Sequence, residues 1–243
     1  MKTLLTFFLF TICLNSFSQN RISENNTIGW YGVFLTKKID NKFSAHLEYQ
    51  WRREALVQNW MQSLVRTGIN YKINAQITAH IGYAWIETFP YGTYALASIP
   101  KRFPEHRLYE QLTFNGGLGK ATFNHRLRVE QRWIGRYTNV NNSKPDLTVF
   151  MNRVRYMPRL NVPITKKIYA SAFDEIFIGF GKNVGENVFD QNRVGVLLGF
   201  KPNNKFRIEG GFINQTVQLG REINNQNVFQ YNNGLMVSSY FNL

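Results

Sequence analysis

The chain has 243 residues, 29 lysines and arginines against 15 aspartates and glutamates, a formal net charge of +14 and a pI near 10.0. The length suits one β-barrel domain or two small domains, and the charge alone would fit a nucleic-acid binder. The first residues argue against nucleic acid: MKTLLTFFLFTICLNSFSQ joins Lys2, an apolar run from Leu4 to Leu14 and the small residues Ser16 and Ser18, the pattern of a secretory signal peptide cut after Ser18.

This divides the chain into a signal peptide at 1–18 and one domain at 19–243. The apolar run is too short for a comfortable transmembrane helix. Cys13, the sole cysteine, lies inside it and lacks the small-residue context of a lipoprotein signal. The mature chain therefore has no disulfide, thiol nucleophile or cysteine metal site. No later segment carries eighteen consecutive apolar residues, so no spanning helix is expected. A mean hydropathy of −0.31 looks soluble, yet half of every strand in a transmembrane barrel faces a polar lumen. Aromatic residues at 15% favour the barrel over a soluble sandwich.

Alternation of period two runs through the chain. FSAHLEYQWR sets Phe43, Ala45, Leu47, Tyr49 and Trp51 on one face and Ser44, His46, Glu48, Gln50 and Arg52 on the other. AQITAHIGYAW separates Ile77, Ala79, Ile81, Tyr83 and Trp85 from Thr78, His80, Gly82 and Ala84. HRLRVEQRW puts Arg126, Arg128, Glu130 and Arg132 opposite Leu127, Val129 and Trp133. FMNRVRYMPRL, QNRVGVLLGF and KFRIEGGFINQ repeat the pattern around Arg153, Arg155, Arg159, Arg193, Arg207 and Glu209. Strands are predicted at 28–37, 42–53, 58–72, 75–87, 105–117, 121–134, 147–160, 167–180, 190–201, 205–217 and 227–242. INAQ, NGGLGK and KPNNK read as tight turns. TFPYGTYALASIPKRFPE and GRYTNVNNSKPD read as long loops.

Long strands, short turns at one end and long loops at the other predict an all-β fold: a single antiparallel up-and-down transmembrane barrel. Bacterial single-chain barrels have even strand numbers. A short extra strand within Gln19 to Thr27 would make twelve, and ten results if the first strand is an inserted plug. The apolar parity is expected to face lipid, with Tyr49, Trp51, Tyr83, Trp85 and Trp133 as interfacial aromatics. The charged parity is expected to line the lumen. It comprises Arg52, Arg66, Arg107, Arg126, Arg128, Arg132, Arg153, Arg155, Arg193 and Arg207 with Glu48, Glu105, Glu130, Glu175 and Glu209. The terminal YFNL, with Phe241 and Leu243 on the apolar parity, is similar to the C-terminal signature read by the outer-membrane assembly machinery, with Leu in place of the usual final Phe.

EHRLYEQL (Glu105 to Leu112), HRLRVEQRW (His125 to Trp133), RVRYMPRL (Arg153 to Leu160), FDEIFIGFG (Phe173 to Gly181) and FDQNRVGVLLGF (Phe189 to Phe200) together resemble an uncharacterised family, domain of unknown function 2490. The resemblance covers nearly all of the mature chain. It implies an outer-membrane barrel of Gram-negative bacteria and brings no catalytic residues with it.

The residues offer little catalytic chemistry. His46, His80, His106 and His125 fall on separate strands without metal-ligand spacing, so no metal and no cofactor is expected. GGLGKAT lacks the upstream glycine of a phosphate loop and has Ala121 where Ser or Thr would hold magnesium, so it reads as a hairpin turn. GFGKNVG lacks the full dinucleotide fingerprint. Ser44 and His46 share a face and raise a lipid-hydrolase alternative, although barrel phospholipase sites lie on the lipid side. Asp174 and Glu175 point to opposite faces, one toward the lumen network and the other near the rim. The basic excess has three readings: an anion-preferring path, lumen pairs that fill the barrel, or loop cations such as Lys101, Arg102, Arg136 and Lys144 that meet lipopolysaccharide phosphates. The filled, non-enzymatic barrel is favoured. Its expected partners are outer-membrane lipid, lipopolysaccharide and, during biogenesis, the assembly machinery.

Overall fold

In a computed structural model, which describes residues 21–185 and 188–243, the chain forms one closed β-barrel. The strands are β1 (Ile22–Lys38), β2 (Phe43–Glu54), β3 (Asn59–Lys72), β4 (Ile77–Thr88), β5 (Phe103–Leu118), β6 (Ala121–Arg136), β7 (Leu147–Pro163), β8 (Ile168–Phe180), β9 (Phe189–Phe200), β10 (Phe206–Ile223) and β11 (Gln226–Asn242). The predicted signal peptide lies outside the described residues.

The single all-β barrel is as expected, and the described residues form eleven strands rather than twelve or ten. Ile22 to Thr27 form no separate strand: they are the first third of β1 and pair in parallel with β11, from Ile22 opposite Val228 to Thr36 opposite Asn242. The remaining pairs are antiparallel neighbours, β1–β2 through β10–β11. Closing on a parallel seam removes the need for an even number.

Residues 39–42, 73–76, 119–120, 164–167 and 201–205 connect the strands at one rim, all in five residues or fewer. The opposite rim carries the long segments 89–102 and 137–146, together with 55–58, 181–185 and the two-residue turn at Asn224–Asn225. Both turn residues have positive φ, 52° and 57°, as a primed hairpin turn requires. At 137–146, Thr138 donates hydroxyl and backbone hydrogen bonds to Asp146, which hold its carboxyl down to about 2.

The seam depends on close backbone approach. A Cβ at Gly234 would lie 1.7 Å from the carbonyl oxygen of Ile28, its partner across β1–β11. No rotamer relieves a clash with backbone, so Gly234→Ala is expected to destabilise closure by at least ~1–3 kcal/mol. A lower unfolding midpoint in urea, with Gly210→Ala near wild type because its Cβ meets nothing closer than 3.8 Å, is the check.

Candidate functional site

The polarity of the wall is inverted relative to a soluble sheet. Leu47, Ile81, Trp85, Leu127, Val196, Leu198 and Leu235 are exposed, while Glu48, Arg66, Glu130, Arg153, Arg155, Glu175 and Glu209 are buried. Strand alternation alone produces this, because residues two apart share a face of the pleat.

Inside, carboxylates from separate strands gather arginines. Glu130 on β6, 0% exposed, accepts hydrogen bonds from Arg153 Nη2 at 2.5 Å and Arg155 Nη1 at 2.6 Å, with Arg107 and Arg128 each 3.8 Å away. Glu105 on β5 accepts from Arg107 at 2.5 Å and Arg132 at 2.6 Å. Glu175 on β8 accepts from Arg126 at 2.6 Å and Arg155 at 2.7 Å. Glu48 on β2 accepts from Arg66 at 2.5 Å. Glu209 on β10 accepts from Arg159 and Tyr169 at 2.5 Å and from Tyr240 at 3.1 Å, with Arg207 at 3.8 Å. A charge in a dry interior is costly unless paired, and these pairs satisfy it within one strand, as in Glu105–Arg107, and between strands as far apart as β7 and β10, as in Arg159–Glu209.

Three arginines rest mainly on neutral groups. Arg52 donates to Gln50 and Gln62 and lies 4.0 Å from the centre of the Trp30 ring. Arg193 donates to Gln191, 4.8 Å from Trp30 and 4.5 Å from Phe177. Arg128 donates to Gln111 and sits 4.4 Å from the Tyr109 ring. Aromatic faces attract such cations and need no second charge. Gly82, beside Tyr109, leaves room for this stack, since a Cβ there would come within 2.6 Å of both Tyr109 and His80.

Two cavities follow one another along the lumen. A cavity of about 260 Å³ in the short-turn half reaches Phe34, Arg207 and Tyr240, and another of about 250 Å³ in the long-loop half reaches Phe103, Arg132 and Leu219. Arg52 and Arg193 border both and form the partition. Above it, segment 89–102 folds into the mouth. The Tyr91 hydroxyl donates to Gln230 at 2.8 Å, and Gln230 donates to the Tyr94 carbonyl at 2.7 Å. Thr93 N–H donates to Glu24, and Arg221 donates to the Ala95 carbonyl at 2.9 Å. Tyr91 and Ala97 are buried there.

Each lumen residue named from the sequence occupies the inner face, with Arg207 at the short-turn end half open to solvent. Tyr49, Trp51, Tyr83, Trp85 and Trp133 stand on the outer face. Trp51, Trp85 and Trp133 lie toward the long-loop rim with Trp60, while Tyr49 and Tyr83 stand nearer mid-strand. Arg53 is held at that rim between Trp51 and Trp60, 5.1 and 4.5 Å from their rings.

Other features went unanticipated. Asp190, the neutral glutamines and the inner aromatics Trp30, Tyr109 and Phe177 complete the network, and Asp190 accepts from Arg153 at 2.5 Å. Their only sequence signal is parity. Asp174 is not at a rim: it is exposed in the middle of β8 on the outer wall, where Asn192 donates to it at 2.5 Å. Arg136 ends β6 with its guanidinium 4.6 Å from the Phe103 ring, and Lys101 donates to the Asn142 carbonyl. His46 and His80 meet edge to face at 5.5 Å inside, while His106 and His125 bond Tyr83 and Tyr156 outside. Ser44 accepts from Asn70 at 3.1 Å and His46 approaches Glu48 at 3.4 Å, so neither engages the other as a nucleophile and base would.

The family model described as "Protein of unknown function (DUF2490)" matches residues 27–227. No curated protein matches the chain. Among solved structures, that of the NanC porin in a rhombohedral crystal form is similar at 12% identity and a TM-score of 0.47, over 89% of this chain and 98% of that one.

Proposed function

We propose, for a chain that belongs to the DUF2490 family and whose role must therefore be read from its own side chains, that it is an integral outer-membrane barrel with a largely filled lumen and no catalytic role. The observation that carries this reading is the inverted wall. Exposed Leu47, Ile69, Ile81, Leu108, Leu127, Ile176, Val196, Phe212 and Leu235 come from strands around the barrel, and an apolar surface of that extent is stable against lipid rather than water. The rings at the long-loop rim match one membrane interface. At the other rim the Phe43 ring packs tilted against Tyr71 at 5.0 Å and Phe206 against Phe241 at 5.1 Å, which supplies a second girdle.

In this reading the leader at 1–18 is cleaved on export, residues 19–243 form the barrel, and the outer wall meets lipid. Lys144 and other cations of the long loops face lipopolysaccharide. The Ser44–His46 hydrolase has no support in the contacts those side chains make, and purified protein is expected to release no fatty acid from phospholipid or lipopolysaccharide. Expressed in a Gram-negative host, the full chain should fractionate with the outer membrane and migrate differently on gels when unheated and boiled. Recovery in the soluble periplasm after lysis would overturn the reading. A small anion-preferring channel is the second reading, favoured by the excess of lumen arginines over carboxylates.

A further inference from the structure

The cavity in the short-turn half of the lumen is bordered by Arg66, Arg126, Arg128, Arg207 and Trp30. Each of the four arginines holds one buried guanidinium nitrogen without a hydrogen-bond partner among the described residues: Nε of Arg66, Arg126 and Arg207, and Nη1 of Arg128. The indole Nε1 of Trp30 is also without one. Buried charged donors are costly to leave unmade, and the cavity beside these side chains is bordered by eight arginines and only two glutamates.

The local carboxylates do not meet these atoms. Glu48 is engaged by Arg66 through Nη1, and Glu175 by Arg126 through Nη2. The nearest carboxylate oxygens to Arg128 Nη1 and Arg207 Nε are 3.8 Å away, beyond hydrogen-bond length. Arg66 and Arg128 are only 5% and 6% exposed, so bulk water does not solvate them freely. Arg128 is also repelled by Arg155, Arg126 and Arg66, while its hydrogen-bond acceptor, Gln111, is neutral.

We propose that this cavity is a binding site for a small oxyanion of the phosphate or sulfate class. Such an ion brings negative charge where arginines outnumber carboxylates, and its several oxygens accept from arginines of different strands once their free N–H groups turn toward it. Chloride supplies charge without the directed acceptors. The site goes beyond the barrel reading and rests on lumen geometry alone.

Calorimetric titration of the full chain in detergent at low salt, with inorganic phosphate as the probe, tests it. Saturable binding of one phosphate per chain is expected. Arg128→Gln should weaken it at least roughly tenfold, the usual effect of losing a charged hydrogen bond. Lys120→Gln, exposed in the turn at 119–120, should leave it unchanged. If Arg128→Gln does not fold, the wild type decides: phosphate should raise its heat-modification temperature more than chloride at equal ionic strength. No saturable binding, equal weakening by Lys120→Gln, or equal effects of phosphate and chloride would overturn the proposal. Gel migration reports separately whether the barrel itself is intact.

Discussion

Glu130→Ala is expected to destabilise the barrel by about 3–5 kcal/mol, the cost of breaking a fully buried ion pair. Glu130 has no exposed surface, accepts from Arg153 and Arg155, and has Arg107 and Arg128 just beyond bonding distance. Arg155 would keep Glu175, and Arg153 would keep Asp190. The charge of all four guanidiniums would then lean on carboxylates already engaged. Glu130→Gln keeps one acceptor oxygen and should fall between alanine and wild type. Urea titration of the detergent-solubilised protein, followed by loss of the fast-migrating unheated form, measures the difference. A Glu130→Ala midpoint close to wild type would mean that water, not Glu130, neutralises this part of the lumen.

Reconstituted into planar bilayers, the wild type should conduct little or not at all, because two barriers lie in series. One is the partition of Arg52 and Arg193; the other is the 89–102 segment anchored through Tyr91, Gln230 and Glu24. Replacing residues 92–99 with a short glycine-serine linker together with Arg52→Ala and Arg193→Ala should turn a near-silent baseline into resolved steps. Those steps should prefer anions, since the remaining arginines still outnumber the carboxylates. Arg128→Glu in that background should move the preference toward cations. Large cation-selective steps from the wild type would contradict both the partition and the inward charge. Either barrier alone should be enough to keep conductance low.

The strands were legible because each writes its two faces in different chemistry. In β2, Leu47 and Tyr49 face out while Glu48 faces in, and the same contrast runs through β6 and β9. Closure was not legible. Asn25 and Asn26 look like loop residues, yet they are strand paired with β11, with Asn26 donating to Asn232 at 3.0 Å. Such a pairing, with |i−j| of 206, has no local periodicity to announce it. The even-number rule then pointed to an extra strand where β1 simply continues. Within the site, parity identified inward arginines such as Arg153 and inward carboxylates such as Glu130, but not how they pair. Which carboxylate meets which guanidinium depends on strand tilt and stagger. The folded-in loop was missed for a related reason: Tyr91 is fixed by Gln230 and Asn232 from the far end of the chain.

The parallel seam has a consequence for how the molecule divides its surroundings. Because β1 and β11 run the same way, Arg21 stands beside the long-loop rim and Leu243 beside the short-turn rim. A seventeen-residue strand rising ~3.3 Å per residue and tilted by roughly 40° spans about 40 Å along the barrel axis, the full depth of a bilayer with its headgroups. A dye attached at Arg21 and another at Leu243 would therefore report opposite compartments, and a quencher confined to one side would silence only one of them. An even-stranded antiparallel barrel returns both ends of its wall to the same side; this one sets Arg21 and Leu243 on opposite faces.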